Sequence, residues 1–315
     1  MQAFDQAQQW VFEHLFQPLV QALGLASQSP EAFEGAGWLV AGVAQLLFIA
    51  LVFGALERWR PVEAVTDRAA VRVDALYTLI HRLGLFRLGL FFTLDPLVDA
   101  LAAQGRLLGW QPWHLDALWP GITDRGWVSF LLYLVVFDAV GYGLHRAQHA
   151  WRWWWALHAL HHSQRQMGKW SDSRNHLLDD LIVAAVFALV ALVLGTEPAQ
   201  FMGIVLLTQL LESLQHANVR LRFGPLERWL VSPHFHRVHH AIGLGHESRG
   251  PGSLGGHNLG VLFPWWDRLF GTAVFDAALQ PTGIRDQLQG RDYGAGFWVQ
   301  QRLGMQRLWQ ALKVR

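Results

Sequence analysis

The chain has 315 residues, 52% of them hydrophobic and 16% charged, with 17 Trp and 19 Phe. That is far more apolar than a soluble globular domain and puts a membrane protein first. The formal charge is +1 with no Lys/Arg run interleaved with aromatics, which excludes a nucleic-acid face, and the absence of cysteine excludes disulfides, thiolate zinc, cysteine-ligated iron–sulfur clusters and thiolate haem.

Residues 1–37 open with MQAFDQAQQWVFEHLF, which lacks the basic stretch of a secretory signal. They read as an amphipathic, interface-lying segment that stays on the mature protein. Trp38 to Leu56 is a 19-residue stretch with no charge and a single polar side chain, Gln45. At about 1.5 Å per residue it reaches about 28 Å, the thickness of a hydrocarbon core. Leu83 to Ala103 is broken by Arg87, Asp95-Pro96 and Asp99, and predicts a kinked span or a re-entrant helix. Trp127 to Leu144 is a cleaner span interrupted by Asp138. Leu177 to Leu194 and Gln200 to Leu214 predict a helical hairpin turning at Gly195-Thr196-Glu197-Pro198.

The fold class expected from this pattern is all-α, an integral membrane helical bundle of about four or five transmembrane or re-entrant helices under a cytosolic, histidine-rich helical cap. Four regions follow: the N-terminal interfacial segment 1–37, membrane helices 38–126, a histidine-bearing catalytic domain 127–272 and a C-terminal cytosolic tail 273–315. Residues 1–37 hold no Lys or Arg, whereas 57–82 hold Arg58, Arg60, Arg68, Arg72 and Arg82, which orients the N-terminus outward. Threading on from there puts residues 145–176 and 215–315 together on the cytoplasmic side.

Of 16 histidines, 13 lie between His145 and His257. His145 and His149 stand at i, i+4. His158, His161 and His162 stand at i, i+3, i+4, and His236, His239 and His240 repeat that spacing. On a helix each set shares one face, so three short helices can direct eight imidazoles into one space. Unliganded, eight rings beside a low-dielectric membrane would be poorly compensated. A catalytic zinc takes three protein ligands, so the set fits two ions better than one. No Glu-x-x-His motif lies between His145 and His240, which makes this an all-nitrogen site. Bis-histidine haem needs pairs on facing helices and does not explain the triplets. A metal transporter is a further class, but its ligands sit at the bilayer midplane on broken helices, whereas these boxes follow the ends of the spans.

HxxxH, HxxHH and HxxHH in that order resemble the signature of the fatty acid hydroxylase and sterol desaturase superfamily. The resemblance extends to Asp138 and Tyr142 before the first box, Trp154-Trp155 and Ser163 around the second, Arg174 and His176 in SRNH, His216-Ala217-Asn218, Pro233, and HNLGVLFPWWDRLFGT from His257 to Thr272. It covers residues 138–272. It implies a cytosol-facing site for two iron ions, which zinc can also occupy, with O₂ as co-substrate. Electrons would come from a separate carrier of the cytochrome b5, ferredoxin or reductase kind. Carried over position by position, the ligands are His145, His149, His158, His161, His162, His216, His236, His239 and His240. His257 is a tenth ligand or a donor that orients one. Asp138, two turns before His145, accepts the second N–H of a ligand or bonds a neighbouring helix; with it, His176 is the other candidate catalytic residue, or binds a headgroup or caps its helix beside Asp179 and Asp180. Asp267 and Arg268 read as a structural ion pair. His234 and His246 read as loop residues, and His14, His81 and His114 fall outside the cluster.

The expected activity is hydroxylation of an unactivated C–H bond in a membrane lipid, whether fatty acyl, sterol- or hopanoid-like, or aminolipid, with desaturation by the same site as the alternative. The 23 Arg against 2 Lys suit a high-GC bacterial genome, hence a bacterial inner membrane. GLGHESRGPGSLGG does not join a strand to a helix as a dinucleotide fingerprint would, so the electrons need a partner. The linker SQRQMGKWSDSRNH departs from the family pattern and leaves the substrate open, as it leaves open the oligomeric state.

Overall fold

In the computed structural model, which describes residues 2–243 and 255–313, every named element is helical. Helix α1 (Gln2–Val11) buries none of its residues and runs through a π-turn into α2 (Gln17–Ala22). Helix α3 (Ser29–Phe48) continues through a second π-turn into α4 (Gly54–Trp59). Together Ala26–Trp59 form a 34-residue helical stretch long and apolar enough to cross a membrane. Within its Trp38–Leu56 part the single polar side chain, Gln45, is buried and its Nε2 donates to the Leu206 carbonyl at 2.7 Å.

Asp67 caps α5 (Arg68–Arg82) by accepting from the Ala70 amide. Gly84, at φ +78°, then turns the chain into α6 (Leu85–Thr93), bent by 50° from α5. Helix α7 (Asp95–Leu107) starts afresh with Pro96 in its first turn. The stretch Leu83 to Ala103 is therefore two short helices, broken where Asp95-Pro96 predicts a break. Helix α8 (Gly126–Ala150) is the second long apolar helix, 25 residues, and it carries the first histidine box at its end. Among the described residues two helices are long and apolar enough to cross a bilayer, or three if α5 and α6 count as one bent span.

Extended Trp151 separates α8 from α9 (Arg152–His162), which ends on the second box. The predicted hairpin is α10 (Leu177–Val193) and α11 (Pro198–His216), turning at Gly195 with φ +57°. Ser232 caps the short α12 (Pro233–His239), the third box. Then come α13 (Trp265–Phe270) and α14 (Phe297–Lys313), which packs along α9. Arg307 of α14 donates to the Ala156 carbonyl, and Gln301 donates to the Tyr77 hydroxyl and the Asn175 carbonyl. The main core joins α8 to the hairpin through Tyr133, Leu134, Phe137, Leu194, Ile204 and Leu262.

Gly42 is where α3 and α5 approach most closely, since a Cβ there would overlap the Arg82 carbonyl. Gly42→Ala should destabilise the protein by about 1–3 kcal/mol through overpacking. Gly89→Ala, in α6 with open space around it, should cost nothing. Thermal unfolding in detergent compares the two, and equal midpoints would sink the argument.

Candidate metal centre

The helical spacing of the boxes brings their rings together from four directions. Three sets of ring nitrogens lie within 4.8 Å of one another: His145, His149, His158 and His162; His161, His216, His236 and His240; and His162, His239 and His240. The first set joins the end of α8 to α9. The second joins α9, the last residue of α11, and α12 with its capping His240. The third bridges the two. All nine positions read from the sequence as ligands enter these groups.

Each neutral imidazole has one N–H and one lone pair, so the partner on one nitrogen fixes what the other presents. His145 Nδ1 donates to the Leu259 carbonyl at 2.8 Å, His149 Nδ1 to the Gly255 carbonyl at 3.2 Å, and His158 Nδ1 to the Asp179 carboxylate at 3.2 Å. His239 Nδ1 donates to the His257 carbonyl and His216 Nδ1 to the Glu212 carbonyl, both at 2.8 Å. These acceptors leave the Nε2 lone pairs facing inward. In the second set the Nε2 atoms of His161 and His236 each stand 3.1 Å from His216 Nε2, and His240 Nε2 is 3.2 Å from His236 Nε2. Nitrogens about 2.0–2.1 Å from one cation would be spaced by roughly this amount.

Burial, and then the neighbouring imidazoles, push His161, His236 and His240 well below the ordinary histidine range, which keeps them neutral. Neutral imidazole is the metal-binding form. His158 Nε2 and the Nδ1 atoms of His161, His236 and His240 are buried without a hydrogen-bond partner. A buried cluster of lone pairs and orphaned nitrogens is costly by itself and fits a pair of nitrogen-ligated cations.

Behind the rings stand three buried carboxylates. Asp179, third residue of α10, accepts from Trp154 Nε1 at 2.6 Å, Gln148 Nε2 at 2.8 Å and His158 Nδ1, tying α8, α9 and α10 around one ligand. Asp267 accepts from the amides of Leu259 and Gly260, both at 2.7 Å, and from the Thr272 hydroxyl. Asp138 accepts from the Leu262 amide at 2.7 Å, the Phe263 amide at 3.3 Å and Trp266 Nε1 at 2.8 Å.

Several candidates fall elsewhere than the first set of roles suggests. Asp138 touches no ligand ring; it holds the segment whose Leu259 carbonyl holds His145. The His257 ring stays outside the three groups, bonded to the Thr272 backbone, and it is the His257 carbonyl that faces His239. His176 caps α10, its Nδ1 accepting from the Leu178 amide while its Nε2 donates to the Gln301 carbonyl. The expected Asp267–Arg268 ion pair is corrected: Asp267 is spent on backbone amides, and Arg268 is exposed and forms no ion pair among the described residues. His234 does serve a loop, through the Ala277 carbonyl. His246 and most of the glycine-rich stretch around it lie outside the described residues. The sequence reading missed Asp179 as the carboxylate partner of a ligand, although a ligand histidine commonly needs one and Asp179 follows SRNH by three residues.

The fatty acid hydroxylase family matches residues 130–272, a window that opens in α8, contains all nine clustered histidines and closes at Thr272. The chain carries a fatty acid hydroxylase domain. The chain is 30% identical over 225 residues to an ornithine lipid hydroxylase of Rhizobium tropici, covering 70% of this chain and 63% of that one. It is 29% identical over 164 residues to the alkylglycerol monooxygenase of Danio rerio, covering 52% and 33%, and 24% identical over 186 residues to a Delta(7)-sterol 5(6)-desaturase of Gibberella zeae, covering 58% and 53%. The chain thus spans less than two thirds of the length of these relatives. No solved structure matches it.

Within this hydroxylase domain the Asp179 carboxylate holds the orientation of the His158 ring. Asp179→Asn should lower metal affinity by about 10–100-fold, the usual effect of losing an outer carboxylate. His176→Ala should keep the metal and only unfold earlier, by about 1 kcal/mol for a lost cap. Metal per chain after dialysis against a chelator reads both; full retention in Asp179→Asn would contradict the assignment.

Proposed function

We propose that this protein is a membrane-bound oxygenase that inserts one atom of O₂ into an unactivated C–H bond of a lipid, at two iron ions held by the nine histidines. The observation that carries the reading is a cavity of about 310 Å³ between α8, α10 and α11, a usual size for a ligand site. Its far wall is apolar, with Phe137, Val183, Phe187, Phe201 and Ile204, and its near end is made of His145, His158, His161, His216 and His236. Lipid-directed hydroxylases among the relatives support the same substrate class.

Iron bound there supplies the redox chemistry with O₂, drawing electrons from a separate carrier protein; one oxygen enters the lipid and the other leaves as water. The protein's own part is positional. Asp179 and the carbonyls of Gly255, His257 and Leu259 fix the ligand rings. The apolar wall excludes water and lays an alkyl chain so that one C–H faces the histidines.

In this reading α3–α4, the bent α5–α6, α8 and the α10–α11 hairpin make four or five crossings or re-entrant passes of a bacterial inner membrane, with the centre on the cytoplasmic side. Contacts between the arginine-rich connection and the histidine segments support that side: Glu57 pairs with Lys169 at 2.7 Å, Glu63 pairs with Arg237, and the Arg220 amide donates to the Arg60 carbonyl.

Lipid mass spectrometry of cells with and without the protein under ¹⁸O₂ tests the proposal. One lipid class should gain an ¹⁸O-labelled hydroxyl, and His161→Ala should abolish the label and lower bound iron. No oxygen-dependent change in any lipid, or a hydroxyl labelled only from water, would rule the reading out, and a label-free double bond would turn it toward desaturation.

A further inference from the structure

Besides Asp138, which is occupied by the Leu262 and Phe263 amides and the Trp266 indole, three carboxylates line the cavity: Asp172, Asp180 and Glu212. Two of them are spoken for inside the protein. Asp172 meets Arg82 Nη2 at 2.8 Å and accepts from the Ser213 hydroxyl at 2.9 Å. Asp180 meets His81 Nε2 at 3.0 Å, and His81 Nδ1 donates to the Tyr77 carbonyl. Arg82, the guanidinium on this side, also gives its Nη2 to the Gln209 carbonyl and the Ser213 hydroxyl.

The Glu212 side chain has no hydrogen-bond or ion-pair partner among the described residues, although its own backbone carbonyl holds His216. It is not a member of any histidine group, so it is not placed as a metal ligand. On α11 it precedes His216 by four residues, which puts it about one turn, roughly 5–6 Å, from the centre on the same helical face. An unpaired carboxylate facing a cavity within the membrane bundle is costly unless the cavity's occupant supplies the partner.

We infer that Glu212 is the specificity-determining residue of the cavity and that it binds the protonated amine of a cationic lipid headgroup. This rests on reading the cavity as the lipid site. With Asp172 and Asp180 paired inside the protein, the unpaired Glu212 carboxylate repels a phosphate headgroup at this depth and attracts an ammonium. With the amine at Glu212 and the alkyl tail along Phe137, Phe187 and Phe201, the carbons facing the histidines are those a few bonds from the nitrogen. Oxidation then falls at the headgroup end of the lipid and not at the tip of its chain.

The test uses the full-length protein in nanodiscs containing equal amounts of a long-chain primary amine and the alcohol of the same chain length, kept anaerobic so that nothing turns over. Bound lipid is then extracted and quantified by mass spectrometry. The native protein should enrich the amine about tenfold or more, as expected for a desolvated charge-assisted contact. Glu212→Gln should bring the ratio near parity while metal per chain and unfolding temperature stay unchanged. Equal retention by the native protein, or enrichment that survives Glu212→Gln with the metal in place, would overturn the inference. If Glu212→Gln loses metal or stability, Glu212→Asp replaces it: the shorter carboxylate should keep a reduced preference, and parity with the metal retained would count against the inference. Exposure to ¹⁸O₂ separates this from the oxygenase reading: amine enrichment without labelled product defeats only the oxygenation, whereas equal labelled product from amine and alcohol defeats only the role of Glu212.

Discussion

Nine imidazoles crowd at helix ends, and in five of them, His145, His149, His158, His216 and His239, Nδ1–H finds an acceptor outward, which leaves the Nε2 lone pair facing inward. The acceptors therefore decide the geometry of the centre. Three of them are alternate carbonyls of one segment, at Gly255, His257 and Leu259. That segment has no regular structure and would wander if left alone. It is pinned by Asp267 through the amides of Leu259 and Gly260, and by Asp138 through those of Leu262 and Phe263. Asp138 lies inside the second long apolar helix, so a carboxylate within the bundle sets the rings two steps away. Its burial cost is offset by two amides and an indole N–H.

The position of the centre follows from where helices stop. Helix α8 ends at Ala150, α9 at His162, α11 at His216 and α12 at His239, and each stop leaves histidines on the final turn. Helices of unequal length crossing at one end gather ligands without a dedicated domain. The same arrangement opens the cavity, because α8, α10 and α11 continue away from that end with Phe137, Phe187 and Phe201 between them. The cavity and the histidine cluster at its edge are thus parts of one packing solution.

The clustering of the nine histidines was legible because the i, i+3, i+4 rule is strict and histidine marks itself. The acceptors were not, because any residue provides a carbonyl and no side chain records which one is used. Asp138 invited a direct role by lying two turns from His145 on the same face, yet proximity along one helix lost to a crossing: α10 enters beside α9 and delivers Asp179 to His158 instead. His81 gave no local signal either. It lies far from the boxes in sequence and reaches the cavity only because α5 folds against α3 at Gly42. The Trp38–Leu56 span and the hairpin were visible from composition and turn residues, while the pairing of residues beyond 272 with α9 depends on long-range contacts such as Arg307 to Ala156 that leave no periodic trace.

The clustered histidines sit at the ends of α8, α9, α11 and α12, whereas the other polar residues of the cavity come from α5, α8, α10, α11 and the linker between α9 and α10. That linker, SQRQMGKWSDSRNH, is the part of the domain that departs from the family pattern, and it supplies Asp172, Ser173 and Asn175 to the wall. Asp172 engages Arg82 and Ser213, and Ser213 adjoins Glu212. A change in the linker alters which of these charges remains unpaired without moving a ligand ring. The divergent linker and the unpaired carboxylate thus share one surface of the cavity, beside the histidine cluster.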